Sequence, residues 1–235
     1  MASNEAEHWW FSGRRAVVAA LVGRLIAPRP GSRILEVGCG SGGNLDLLAG
    51  FGRVDAIEQD ATARATARAR SGLAVRAGAL PDDLPVSDGA YDVVALLDVL
   101  EHVEEDRASL QALGAKLSAS GRLLITVPAM PWLWSAHDEV HHHKRRYTRA
   151  SLEAVVMAAG LKVERVGYFN GLLFPLAVAS RAWKALTGDR SGDDEMPPAP
   201  LNGALLRIFA SERHFVGRIP LPFGLSVFAI ARRPD

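Results

Sequence analysis

Cysteine is almost absent from this chain. Cys39 is the single thiol among 235 residues, so no internal disulfide can form. A lone thiol fits a reducing compartment, and a cytoplasmic protein is expected. Excess charge is absent as well: 27 Lys and Arg stand against 26 Asp and Glu, a formal net charge of +1. That balance removes the electrostatic case for nucleic acid or an anionic membrane as a partner. No apolar run approaches the ~18 residues that a spanning helix needs. The longest, Gly171 to Ala179, is interrupted by Pro175. The opening residues, Met1 to His8, are polar and acidic, unlike a signal peptide. No internal repeat is visible.

What is there is a full core. Hydrophobic residues make up 49% of the chain, and its length suits one embellished α/β domain better than two. The most informative stretch is Ile34-Leu35-Glu36-Val37-Gly38-Cys39-Gly40-Ser41-Gly42-Gly43-Asn44. It reads as a buried strand breaking into a glycine-rich turn and then a helix. Glycines let backbone turn tightly and approach a ligand closely, and the helix start offers N–H groups to it. An acid inside an apolar strand is costly unless it is paired, so Glu36 points to a ligand site. Glu58 ends the next apolar run, about 20 residues beyond Gly38, where an acid bonds a ribose hydroxyl in nucleotide-binding α/β folds. Gln59 and Asp60 follow it, and Asp60 competes for the same role.

Strands and helices alternate along most of the chain. Helices are predicted over 9–27, 44–50, 61–70, 106–117 and 151–159, the last capped by Thr148 or Ser151. Strands are predicted over 33–37, 54–58, 74–76, 91–97, 121–127, 161–168 and 225–231. The alternation implies a largely parallel sheet covered on both faces. Residues 128–147 form an irregular loop rich in Trp, His and Arg. Residues 170–220 read as an insertion with a Pro-rich linker at 192–200.

Together these segments resemble the class I S-adenosylmethionine-dependent methyltransferases of the type 11, 12 and 23 kind. The acid and glycines of the first strand match the motif E/D-x-G-x-G-x-G. Leu84-Pro85-Val86-Ser87-Asp88-Gly89-Ala90-Tyr91-Asp92-Val93-Val94 resembles the entry to the fourth strand. Asp98-Val99-Leu100-Glu101-His102-Val103 resembles the family's D-V-L-E-H-V. The match covers about residues 33–168. His8-Trp9-Trp10-Phe11, the His137 to Tyr147 segment and Leu221 to Ser226 suggest a narrower subgroup. The resemblance implies a Rossmann-like seven-stranded, mostly parallel sheet with an antiparallel last strand and helices on both faces. It implies one methyltransferase domain over 1–235: a helical lid over 1–30, a core over 31–168, an insertion over 170–220 and a last strand over 225–231.

S-adenosyl-L-methionine is the implied cofactor. Its implied contacts are Trp10, Arg15, Glu36, Gly38, Cys39, Gly40, Glu58, Gln59, Asp98 and Val99. Many members carry an acid near residue 79 for the adenine amino group. Here the segment is Ala77-Gly78-Ala79-Leu80, so adenine recognition is expected from backbone groups at Ala79 and Leu80.

Several residues keep two readings. Trp9, Trp10 and Phe11 read as core contacts or as a lid, with Arg14 or Arg15 meeting the cofactor carboxylate. Asp98 faces the crevice or caps the next helical segment. His102 reads as a general base or as a local packing group. The 132–147 loop has three readings. As a metal site it is disfavoured by three adjacent histidines, which cannot all converge on one ion, and no metal is expected. As a substrate site it offers His137 or His143 as base. Arg145, Arg146 and Tyr147 would then clamp an anionic acceptor, and Asp138 would line the same substrate site. The third reading is an exposed loop anchored by Trp132 and Trp134. The Gly171–Ala179 run with Trp183 suits a core helix, a dimer face or lipid contact.

The expected activity is methyl transfer to a small-molecule or lipid- or sugar-linked acceptor carrying a carboxylate or phosphate, by a monomer or homodimer. Two rivals stand beside it. An NAD-dependent oxidoreductase would use the same glycines and Glu58 but leaves Glu36 and the Asp98–His102 motif unexplained. A non-catalytic binding module on the same scaffold is the other, because fold does not fix activity.

Overall fold

The computed structural model describes residues 7–187 and 196–234. The polar N-terminal stretch up to residue 6 and residues 192–195 of the Pro-rich linker lie outside the described residues. Among the described residues no helix is long and apolar enough to cross a membrane.

Seven strands form one sheet: β1 (Arg33–Val37), β2 (Arg53–Ile57), β3 (Val75–Arg76), β4 (Tyr91–Leu97), β5 (Leu117–Pro128), β6 (Lys162–Phe169) and β7 (Ser226–Arg232). Their order is β3-β2-β1-β4-β5-β7-β6. Only β7 runs against its neighbours, pairing antiparallel with both β5 and β6. That is the expected architecture. Chain order reverses beside β1, so the carboxyl ends of β1 and β4 bound a crevice.

The alternation of side chains along β4 explains the two covered faces. Val94 and Leu96 point to one core, with Leu35, Ile125 and Ala229 from neighbouring strands. There α4 (Asp106–Lys116) contributes Leu110 and Leu113, and α6 (Arg149–Ala158) contributes Leu152 and Val156. Val93, Ala95 and Leu97 point to the other core, with Ile34, Leu124 and Phe228. That face is covered by α1 (Trp9–Leu21) through Val17, Val18 and Leu21, and by Phe209 of α8 (Ala199–Ser211). The first helix and Leu173, Phe209 and Val216 of the 170–220 segment thus share one core with the sheet. With both faces covered, the central strands are near-continuous apolar runs.

Among the described residues the other α-helices are α2 (Leu45–Ala49), α3 (Ala61–Ser71), α5 (Ala136–Val140) and α7 (Phe174–Thr187), and a π-helical turn over Val22–Ile26 extends α1. The 128–147 loop is more ordered than expected, holding α5 and a tight turn over Pro131–Leu133. Its anchor is the buried Leu133. The two tryptophans assigned that role are 63% and 41% exposed, at Trp132 and Trp134 respectively.

Candidate active site at the carboxyl edge of the sheet

The crevice is built from the ends of β1, β2 and β4. After Val37 the backbone enters left-handed conformation at Gly38 (φ 72°) and again at Gly40 (φ 54°). At Gly38 a Cβ would stand 2.6 Å from Cγ2 of Val99, so the loop after β4 packs directly on the turn. At Gly40 a Cβ would meet nothing within 4 Å, so the backbone there faces open space.

Glu58 holds this turn in place. One carboxylate oxygen accepts from the Gly40 N–H at 2.8 Å, and the other accepts from the Asp60 N–H at 2.8 Å. Asp60 is committed elsewhere, accepting from the Ala63 N–H at the start of α3, and Gln59 is exposed. Glu36 is fully buried and accepts from Nδ2 of Asn44 at 2.9 Å. The helix expected to aim its N–H groups at a ligand is only five residues long, and its Leu45 N–H donates to the Gly42 carbonyl. Burial, aided by Glu36 and Glu58, pushes the Cys39 thiol up to about 12, so it stays neutral near pH 7.

Across β1, the end of β4 carries a second polar group. Asp98 sits in left-handed backbone (φ 55°), with its Oδ2 2.5 Å from Nε of Arg14. Its Oδ1 accepts from the Thr126 hydroxyl at 3.0 Å. It does not cap the following turn, where no side-chain cap bond forms. The Trp10 ring lies 5.5 Å from the Arg14 guanidinium, a cation–π contact. Arg14, not Arg15, therefore reaches the crevice. Arg15 donates to Ser12 of its own helix, because it stands off the face that carries Val17, Val18 and Leu21. The adenine expectation is also corrected in part. The Ala79 N–H donates to the Asp83 carbonyl, closing a local turn, so that donor is already used.

The loop after β5 forms a separate cluster around Asp138, which is fully buried. Asp138 accepts from Nε of Arg146 at 2.7 Å and from the Ser135 N–H at 2.9 Å, and bonds Nδ1 of His143 at 2.8 Å. Burial alone would raise its carboxyl pKa. The His143 and Arg146 bonds outweigh that and hold it well below the usual carboxylate range. Arg145 donates to Asp106 at 2.8 Å, and the Tyr147 hydroxyl donates to the same oxygen at 2.9 Å. These contacts correct the substrate-site expectation: Asp138 and the three members of the anion clamp, Arg145, Arg146 and Tyr147, are committed to internal partners that fold the loop. The His137 ring lies against His141 within the loop, tilted by 52° with ring centroids 4.3 Å apart.

His102 and His143 come together edge to face, with centroids 4.7 Å apart. Partial shielding of the His102 ring, then its His143 neighbour, push its pKa down to about 4 although the residue as a whole is exposed. Such a ring is neutral at pH 7 but weakly basic, a poor match for a general base. Beside it Glu101, which the sequence reading passed over, is 1% exposed. Burial, and then Asp98, push its carboxyl well above the ordinary range. Its place in the D-V-L-E-H-V stretch was the available signal.

The crevice residues fit an adenosyl amino acid. Each Glu58 oxygen keeps a lone pair for a ribose hydroxyl. The open backbone at Gly40 permits close approach, and Arg14 with Asp98 offers opposite charges to an α-carboxylate and an α-ammonium.

Fold and site together define a Rossmann-like nucleotide-binding protein of class I methyltransferase architecture. The chain belongs to the methyltransferase domain family, whose model matches residues 10–166. It is 30% identical over 172 residues to a probable S-adenosylmethionine-dependent methyltransferase of Mycobacterium tuberculosis (strain H37Rv), covering 71% of this chain and 61% of that protein. It is 30% identical over 163 residues to the ubiquinone biosynthesis O-methyltransferase of Xanthomonas euvesicatoria, covering 61% of this chain and 67% of that protein. An S-adenosylmethionine-dependent methyltransferase from Archaeoglobus fulgidus shares the fold with a TM-score of 0.58 at 18% identity, covering 93% of this chain and 94% of that one. The chain thus spans about three fifths of the length of the mycobacterial relative.

Proposed function

We propose that this protein transfers a methyl group from S-adenosylmethionine to an oxygen of a small or lipid- or sugar-linked acceptor. The observation that carries the reading is the pairing of two recognition groups across the glycine turn. Glu58, at the end of β2, suits a ribose diol. Arg14–Asp98, at the end of β4, suits an amino-acid zwitterion. An NAD-dependent oxidoreductase would leave the second group without a task, and the antiparallel β7 departs from the all-parallel dinucleotide sheet. Oxygen is favoured as the acceptor atom by the Xanthomonas relative's O-methyltransferase name.

When bound, S-adenosylmethionine supplies an electrophilic methyl group whose leaving group is a neutral thioether. The chain's own work is then positional. Glu58 and the Gly40 backbone fix the ribose end, and Arg14 and Asp98 fix the amino-acid end. Trp10 stacks on Arg14 and shields that end from water. The positive charge that the sequence reading assigned to an anionic acceptor is neutralised by Asp106 and Asp138, which removes that argument for an anionic acceptor.

The test is a thermal melt with S-adenosylhomocysteine and, separately, NADH. Ligand at 100-fold above its dissociation constant adds about 2.7 kcal/mol of stability. Stabilisation by S-adenosylhomocysteine alone is expected. Stabilisation by NADH alone would overturn the reading.

A further inference from the structure

Two chain segments meet beside the crevice. The turn Leu100–His102 follows β4, and the turn after α5 carries His143. The Lys144 N–H donates to the Glu101 carbonyl at 2.7 Å and ties the segments together. One ligand atom from each of Glu101, His102 and His143 then lies within 4.8 Å of the others.

Three features make this a built site. Glu101 is 1% exposed, and neither of its carboxylate oxygens has a hydrogen-bond partner. Buried polar groups are almost always satisfied, and a buried carboxylate without a partner is costly. His143 is held through Nδ1 by the buried Asp138, which leaves Nε2 to point away from that carboxylate. A carboxylate behind a histidine is the usual support of a metal ligand, fixing its tautomer and ring orientation. Asp138 is itself locked by Arg146 and Ser135.

We propose that Glu101, His102 and His143 form a binding site for a divalent transition-metal ion. Two imidazoles and one carboxylate suit zinc, cobalt or ferrous iron, whereas magnesium and calcium prefer oxygen ligands throughout. Tetrahedral ligands at 2.0–2.1 Å lie about 3.3 Å apart, so the trio must close slightly on the ion. The exposed His102 has room to do so. Three protein ligands leave a fourth position for water. The three adjacent histidines His141–His143 cannot all converge on one ion. The site takes only one histidine from that run and draws its other two ligands from the turn after β4.

The experiment uses the full chain after dialysis against a chelator. Zn2+ is titrated by calorimetry, and Co2+ is added as a spectroscopic probe. One equivalent of Zn2+ is expected to bind, and Co2+ should give the visible absorption of a four- or five-coordinate ion. Glu101→Gln is nearly isosteric and relieves the unpaired carboxylate, so it should fold, and it should weaken Zn2+ binding by at least tenfold. His102→Ala, at an exposed position, should do the same. His142→Ala, whose residue lies outside the trio, should retain wild-type affinity. Absence of Zn2+ binding up to millimolar concentration would overturn the proposal. So would equal losses in His102→Ala and His142→Ala, which would mark adventitious binding to the histidine run. None of these outcomes depends on methyl transfer.

Discussion

Arg14 and Asp98 form an ion pair of 2.5 Å between the first helix and the end of β4, with side chains 7% and 18% exposed. The pair joins an element that precedes the sheet to the centre of the crevice. It also gives a reason for the left-handed backbone at Asp98: strain of this kind persists where surrounding contacts over-determine it, commonly at functional sites. Thr126 completes the set, donating to Asp98 and accepting from Arg14 at 3.4 Å.

Removing one partner should expose that dependence. Arg14→Ala leaves Asp98 largely buried and unpaired. A fully buried pair so broken costs about 3–5 kcal/mol, and the partial exposure of Asp98 lowers the expectation to about 2–3 kcal/mol. Urea unfolding of Arg14→Ala, Asp98→Asn and the double variant gives the coupling. A double variant that merely sums the two single losses would mean that the pair carries no specific interaction. Binding of S-adenosylhomocysteine should weaken in all three.

On the proposed reading Glu58 has two tasks, and its variant should show both. Glu58→Ala is expected to weaken S-adenosylhomocysteine binding by about 1.5–3 kcal/mol, the range for hydrogen bonds to a charged group. It should also lower the melting temperature of the ligand-free protein, because the Gly40 and Asp60 N–H groups lose their acceptor. Calorimetric affinity equal to wild type, with a lowered melting temperature, would leave Glu58 as a brace of the turn only.

The same two residues show what could be read in advance. The place of Glu58 is legible because it follows from local order: apolar strand, edge, acid. The strands were legible for the same reason, since β4 carries the apolar run Val93–Leu97 bounded by turns. The choice of Arg14 over Arg15 was also within reach, because Arg14 lies three and four positions before Val17 and Val18 on the buried face. The loop was not legible. Arg145 reads as a free cation until Asp106, distant in sequence, is brought beside it by the fold. Glu101 reads as one letter of a motif, with no task of its own, until its burial is known. Charge partners across the chain are set by tertiary packing, and periodicity carries no record of them.

Cys39 makes the protein sensitive to alkali in a definable way. Its thiol ionises near its ordinary 9.0 in the unfolded chain and near about 12 in the folded one. Between those values the folded state keeps a proton that the unfolded state has lost. Stability is therefore unaffected below about pH 9 and falls as pH rises through the window, by at most about 1.4 kcal/mol per pH unit. Tyr91, also raised to about 12, acts in the same direction. Comparing wild type with Cys39→Ala cancels the tyrosine. From pH 9 to 10.5 the wild type should lose about 1–2 kcal/mol more than the variant. Parallel pH profiles would place the thiol in contact with solvent.

Arg145 and Tyr147 converge on one oxygen of Asp106, and this separates a structural loop from a substrate clamp. If the cluster only folds the loop against α4, the variants should register in stability and not in acceptor binding. Tyr147→Phe removes a buried hydroxyl from a carboxylate and should cost about 1.5–3 kcal/mol. Arg145→Ala removes a partner whose side chain is 32% exposed, and solvent screening limits its loss to about 1 kcal/mol. Affinity for S-adenosylhomocysteine should hold in both, because neither residue lies on the β1, β2 or β4 edge. Urea unfolding measures the first quantity and calorimetry the second. The contrary pattern is equally definite. An acceptor KM raised tenfold or more in Arg145→Ala, with unfolding unchanged, would mean that the guanidinium leaves Asp106 for the acceptor during turnover. The anionic acceptor would then be restored.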